Sequence, residues 1–119
     1  MEGMKTFDNR VTMNEYQIHS MQTSKCDYGM PKVAYMALGL AGEAGEVAEK
    51  VKKLFRDDDG NITEERKQAI ILELGDCLWY LSAVAWALGT PLADVAMANR
   101  NKLISRKERG VTKGDGDCR

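Results

Sequence analysis

Apolar positions recur along this chain every three to four residues, and no stretch shows the period of two that marks a half-buried strand. The pattern predicts an all-α fold of four helices, over about Met13 to Cys26, Lys32 to Arg56, Thr63 to Leu88 and Pro91 to Lys107. Polar punctuation supports these limits. Gly89-Thr90-Pro91 combines a glycine stop, a threonine cap and a proline at the first helical position. In RDDDGNITEER, Asp59-Gly60-Asn61 makes a turn, and Thr63 caps a helix whose first turn holds Glu64 and Glu65 at the positive dipole end. The same loop fails as a calcium site, because an EF-hand alignment puts Phe55 and Arg66 where ligand carboxylates belong.

The apolar faces carry acids. At about 100° per residue, Met36, Leu40, Val47, Val51 and Leu54 form one stripe of the second helix, with Glu43 at its edge and Glu46 about 60° further round. Lys50 falls between the two, one turn on. The third helix repeats the arrangement: Ile70, Cys77, Leu81, Val84 and Leu88 share a face with Glu73, Asp76 is displaced by about 60°, and Tyr80 stands one turn beyond. A buried, unpaired carboxylate costs several kcal/mol. Two arrangements would offset four of them: a salt-bridged acidic cleft with Lys50 and Lys102 as partners, or a hard divalent cation, Mg²⁺ or Mn²⁺, which favours oxygen ligands. Because obvious cations are few, the divalent ion is the better account. A di-iron bundle would need Glu-x-x-His pairs, and the single histidine, His19, is in none; it reads as a helix-surface or substrate-lining residue.

The acidic part of helix two, GLAGEAGEVAEKVKK, contains Gly39, Gly42 and Gly45. Each interior glycine costs up to about 1 kcal/mol against alanine, so the three are expected to admit close approach by a neighbouring helix or a phosphate.

Composition narrows the partners. A chain of 119 residues suits one domain, residues 1–119, in which ERGVTKGDGDCR at 108–119 is expected as a flexible or substrate-covering tail. With Lys+Arg 17 against Asp+Glu 18, the net charge of -1 offers no general field for nucleic acid. Ala69 to Leu88 is long enough to span a bilayer, but Glu73 and Asp76 lie within it and no basic flank orients it, so a soluble helix is expected and no membrane partner. Three distant cysteines give neither a disulfide framework nor a zinc site, and the first residues lack a secretory pattern; both fit the cytoplasm. Trp79, Ala83 and Trp86 lie on the side of helix three away from Glu73 and suggest an interface, hence a homo-oligomer, dimer or tetramer.

Taken together, EAGE (Glu43 to Glu46) and ELGD (Glu73 to Asp76) resemble the paired acidic signature of the all-α nucleoside triphosphate pyrophosphohydrolases, and more closely the MazG-like single-domain members. NEYQ, LGLAGEAGEVAEKVKK, ELGDCLWYL, NRNKL and RGVTKGDGDCR extend the resemblance over most of the chain. It implies a four-helix MazG-like bundle that hydrolyses a nucleoside triphosphate between the α and β phosphates, in nucleotide-pool housecleaning. It puts metal-ligand positions at Glu43, Glu46, Glu73 and Asp76, with Glu43 or Glu46 accepting the proton of the attacking water. It further implies that Asn99 and Lys102 contact phosphates or sugar. Tyr80 fits at the sugar or in the core, Gln17 at a base edge or on the surface, and Lys50 serves the site or balances its charge. Lys113 and Arg119 of the glycine-rich ending would add charge near phosphate. The alternatives are a non-catalytic helical module that binds nucleotide and metal, and a relative specialised for dUTP, dCTP or phosphoribosyl-ATP.

Overall fold

The computed structural model describes residues 10–25 and 30–119. Four helices, α1 (Met13–Met21), α2 (Lys32–Asp57), α3 (Glu64–Ala87) and α4 (Leu92–Arg109), account for the regular structure, and no strand occurs among the described residues. The all-α expectation holds. α1 starts where Thr12 Oγ1 accepts a hydrogen bond from Glu15 N at 3.1 Å, and it ends at Met21, short of the expected limit. That limit, Cys26, lies outside the described residues.

α2 and α3 form an antiparallel hairpin. Arg66 meets Asp58 at the turn, Lys50 meets Glu73 in the middle, and Tyr80 lies over Gly39 further out, so the partners run in opposite directions. The turn folds as its residues dictate. Asp59 and Gly60 take positive φ of 52° and 78°, and Thr63 Oγ1 caps α3 by accepting from Arg66 N at 3.2 Å. Arg66 Nε then donates to Asp58 Oδ2 at 2.6 Å and ties the two helix ends together.

The start of α4 differs from expectation. Gly89 stops α3 at a φ of 66°, but Pro91 sits in the cap position itself and Thr90 caps nothing; its hydroxyl donates to Leu88 O. α1 supplies the acceptors instead. Gln17 Oε1 accepts from Leu92 N and Asn14 Oδ1 from Ala93 N, both at 2.9 Å, satisfying two of the orphan donors of the helix. At the other end α4 continues to Arg109, and Gly110 at φ 70° closes it, with Val111 N donating to Arg106 O at 2.9 Å.

Burial is sparse. Met36, Leu54, Ala83, Ala85 and Leu92 are the buried apolar side chains among the described residues, whereas Phe55 and Leu72 are 70% and 71% exposed. α2 packs along α3, α1 bridges α3 and α4, and α4 does not touch α2. The bundle is therefore open on one side. Of the expected interface residues, Ala83 is buried and Trp79 is half-buried with its indole N–H on Thr23 Oγ1 at 3.0 Å; Trp86 remains 51% exposed. By length and composition α3 could cross a bilayer, yet it pairs with α2 through its carboxylates.

Candidate metal centre

Helix spacing builds the site. Glu73 and Asp76, three residues apart, share a face of α3, and antiparallel pairing brings Glu43 of α2 opposite them. One carboxylate oxygen from each lies within 4.8 Å of the other two. Glu43 and Glu73 are half-buried, while Asp76 is exposed. The crowding shows in protonation: burial pushes the Glu43 carboxyl above the ordinary glutamate value, the charges of Asp76, Glu73 and Glu46 push it further, and a hydrogen bond with the Glu73 carboxyl adds to the rise.

Glu46 stays outside the trio. Its 60° offset from Glu43 leaves only one of the pair facing α3, so Glu46 is exposed at the rim, close enough for its charge to act on Glu43. Lys50 Nζ lies 3.5 Å from Glu73 Oε1 and is the cation paired with the trio among the described residues. Three acids and one ammonium leave an excess of negative charge on an all-oxygen donor set. That composition fits a hard divalent cation such as Mg²⁺ or Mn²⁺, with Glu43, Glu73 and Asp76 as its holders.

One turn further along both helices the apolar wall begins. Tyr80, four residues after Asp76, lies against Gly39, four residues before Glu43, and a Cβ on Gly39 would overlap the tyrosine ring. Gly39 therefore serves close packing, whereas nothing lies within 4 Å of a Cβ built on Gly42 or Gly45. Trp79 stands edge-on to Tyr80 with ring centroids 5.1 Å apart. These two rings, with Tyr35, Met36 and Lys25, line a cavity of about 190 Å³ whose wall includes Tyr80, one turn along α3 from Asp76.

The remaining expected residues are not gathered there. Gln17 is 3% exposed, and its amide is spent on backbone: Nε2 donates to Thr90 O at 3.0 Å and Ser82 O at 3.3 Å, while Oε1 caps α4. It is a strut joining α1, α3 and α4, with no free edge for a base. Arg119 is likewise engaged, donating to the carbonyls of Val111, Thr112 and Gly116 and thereby closing residues 110–119 into a loop against α4. Asn99 and Lys113 are exposed, and Lys102 pairs with Asp117 at 3.1 Å. Asn99 and Lys102 lie on α4, which packs on α1 and α3 rather than on α2, the helix that carries Glu43. His19 is exposed on α1. Sequence reasoning missed Arg106 and Asp117; the available signal was Arg106 lying one turn after Lys102 on the same helix face.

A helical fold with three carboxylates converging from two of its helices defines the class of protein: an all-α protein with an acidic cluster that could hold a metal ion. The sequence pattern of the MazG nucleotide pyrophosphohydrolase domain matches residues 32–111, and the chain belongs to that family. It is similar to the Gene 37 protein of Mycobacterium phage L5, 46% identical over 110 residues, which covers 87% of this chain and 96% of that protein. No solved structure matches the chain.

Proposed function

We propose that the protein is a Mg²⁺- or Mn²⁺-dependent hydrolase that cleaves nucleoside or deoxynucleoside triphosphates between the α and β phosphates, as a nucleotide-pool housecleaning enzyme. The observation that carries this reading is the convergence of Glu43, Glu73 and Asp76 from two helices, with Lys50 the one cation paired with them among the described residues. A divalent cation bound there supplies Lewis-acid polarisation of the α-phosphoryl group and a lowered pKa for the attacking water. Glu46, exposed and outside the trio, is the carboxylate free to accept the proton of that water as its oxygen bonds to the α-phosphorus. The bond from the α-phosphorus to its bridging oxygen breaks, and pyrophosphate leaves with the electron pair. Lys50 holds Glu73 in the trio and limits its repulsion of the polyphosphate. Tyr80 and Trp79 offer the sugar or base an aromatic wall.

The reading includes a homo-oligomer. Burying one large apolar side chain contributes roughly 1.5–3 kcal/mol, and among the described residues only Met36, Leu54 and Leu92 are large and buried, far short of the ordering entropy of four helices. A second copy against the exposed faces of α2, α3 and α4 would supply the missing core, and would give Asn99 and Lys102 a route to phosphates held by the partner's carboxylates. The same reading is cytoplasmic, with Cys77 and Cys118 as free thiols, and needs neither nucleic acid nor membrane.

The test is turnover. With Mg²⁺ or Mn²⁺ and a panel of NTPs and dNTPs, monophosphate and pyrophosphate should form in equal amounts, and Asp76→Asn should abolish their formation with helicity unchanged. Binding without turnover across the panel would instead favour a non-catalytic nucleotide-binding module. Rapid turnover of dUTP, dCTP or phosphoribosyl-ATP alone would narrow the substrate to that compound.

A further inference from the structure

Beyond the carboxylate trio, α2 and α3 continue as the two sides of a groove. Counting back from Glu43, Gly39, Met36 and Lys32 fall on one stripe of α2; counting on from Asp76, Tyr80, Ala83 and Ala87 fall on one stripe of α3. Antiparallel pairing sets the stripes face to face. Tyr80 lies over Gly39, and Met36 and Ala83 share the wall of one cavity. At 1.5 Å per residue, Lys32 stands about 16 Å along the helix axis from Glu43.

Two cavities occupy this groove, of about 190 and 260 Å³, and they adjoin, because Ser24, Lys25 and Met36 line both. The flat surfaces are aromatic. The chain has two tryptophans and both line the groove, Trp79 beside Tyr80 and Trp86 in the cavity farther from the carboxylates.

The polar groups of the groove are unbalanced. Lys25 lines both cavities and Lys32 the farther one, and the ion pairs among the described residues include neither. No carboxylate or carboxamide among the described residues lines either cavity. The Thr23 hydroxyl is already spent, donating to Ser20 O at 2.7 Å and accepting from the Trp79 indole N–H. A planar ligand that enters meets ammonium donors and few groups able to accept from an amino group.

That imbalance discriminates between bases. Guanine carries two adjacent acceptors, O6 and N7, on one edge, a pair that lysine and arginine read. On the same edge adenine puts an amino donor beside N7, cytosine an amino donor, and thymine one acceptor beside a methyl group. An ammonium has no acceptor for an amino group, so adenine and cytosine lose a partner where guanine gains one.

We propose that the groove holds the base of the nucleotide whose phosphates meet the carboxylates, and that Lys25 selects 6-oxopurines by donating to O6 and N7. The proposal rests on the functional reading above for the phosphate end of the ligand, and it is tested both with and without turnover. In Mg²⁺, kcat/KM is compared for dGTP, dITP, 7-deaza-dGTP and dATP. dITP keeps O6 and N7 without the 2-amino group, whereas 7-deaza-dGTP loses N7 alone. dGTP and dITP should exceed dATP by about fivefold to a hundredfold, the discrimination expected of one good two-acceptor contact, with 7-deaza-dGTP in between. Lys25→Met should bring the dGTP to dATP ratio below about twofold while dATP turnover stays within about twofold of native, and Lys25→Arg should keep the preference. Lys52→Gln removes an equal charge from a lysine of α2 that pairs with Glu49, and should leave the ratio within about twofold. In EDTA, dGMP and dAMP are titrated and followed by quenching of the two tryptophans; the same preference and the same dependence on Lys25 are expected.

A native preference below about fivefold in both assays, an equal fall for every nucleotide in Lys25→Met, or the same change from Lys52→Gln would overturn the proposal; with turnover intact, the hydrolase reading would stand. No hydrolysis of any triphosphate, with dGMP still preferred over dAMP through Lys25, would sink the hydrolase reading and leave the base site in place.

Discussion

Glu43 is where the chemistry of the site is written into one residue. Burial first, then the charges of Asp76, Glu73 and Glu46, raise its folded pKa above the unfolded value. The folded state thus binds this proton more tightly, so the stabilisation is complete below the ordinary glutamate pKa and is lost as pH rises through the raised one. In EDTA, the melting temperature should therefore fall as pH climbs from about 4.5 through the weakly acidic range, and Glu43→Gln should flatten that part of the profile. Mg²⁺ or Mn²⁺ at neutral pH should restore the lost stability to the native chain and not to the variant, as measured by the same melts. Asp117 runs the other way. Its hydrogen bonds with Lys102 and Arg106 lower its pKa, so its contacts persist above the ordinary aspartate value and disappear as pH falls through the lowered one. Sequence periodicity singled out four acids, of which three converge, and could not separate Glu46 from Glu43, since which of an i, i+3 pair faces a neighbour depends on the rotation of α2 about its own axis. Gly39 was legible as a close-approach residue and meets the Tyr80 ring, whereas no neighbouring helix comes within 4 Å of a Cβ at Gly42 or Gly45: a glycine announces absent bulk, not what fills the space.

At the scale of elements, the hairpin of α2 and α3 is the scaffold, and its turn was readable because Asp59, Gly60 and Thr63 act locally. Gly39→Ala should lower chain stability by about 1–3 kcal/mol, because Tyr80 must leave its place or α2 must move away from α3; denaturant unfolding measures it. The α3–α4 corner was misread for the opposite reason. Thr90 looked like a cap, but the N–H groups of Leu92 and Ala93 are taken by Gln17 and Asn14, which lie more than 70 residues earlier in sequence. Long-range capping leaves no trace in local composition. Gln17→Ala strands Leu92 N and two carbonyls, and should cost roughly 2–3 kcal/mol in denaturant melts while leaving KM for nucleotide within about twofold if the variant folds. A large rise in KM at unchanged stability would return Gln17 to the substrate.

For the whole molecule, the open side of the bundle is the dominant fact. Leu38, Phe55, Leu72 and Trp86 remain exposed, and α4 lies off α2, so a single chain has several faces and one small core. Light scattering on the purified protein at micromolar concentration should give a dimer or larger, and Leu72→Glu should shift it toward a less stable monomer; a monodisperse wild-type monomer would remove the oligomer from the account. The family and its acidic signature were legible in the sequence because they depend on short, helix-spaced motifs. The proposed assembly is less legible, because exposed apolar positions mark candidate contact faces without saying what covers them. The proposed reaction is attack of water on the α-phosphorus. Turnover of a deoxynucleoside triphosphate with Mg²⁺ in ¹⁸O-labelled water, followed by mass spectrometry of the products, tests it directly. One labelled oxygen is expected in the nucleoside monophosphate and none in pyrophosphate; label in pyrophosphate, or release of orthophosphate, would contradict attack at the α-phosphorus.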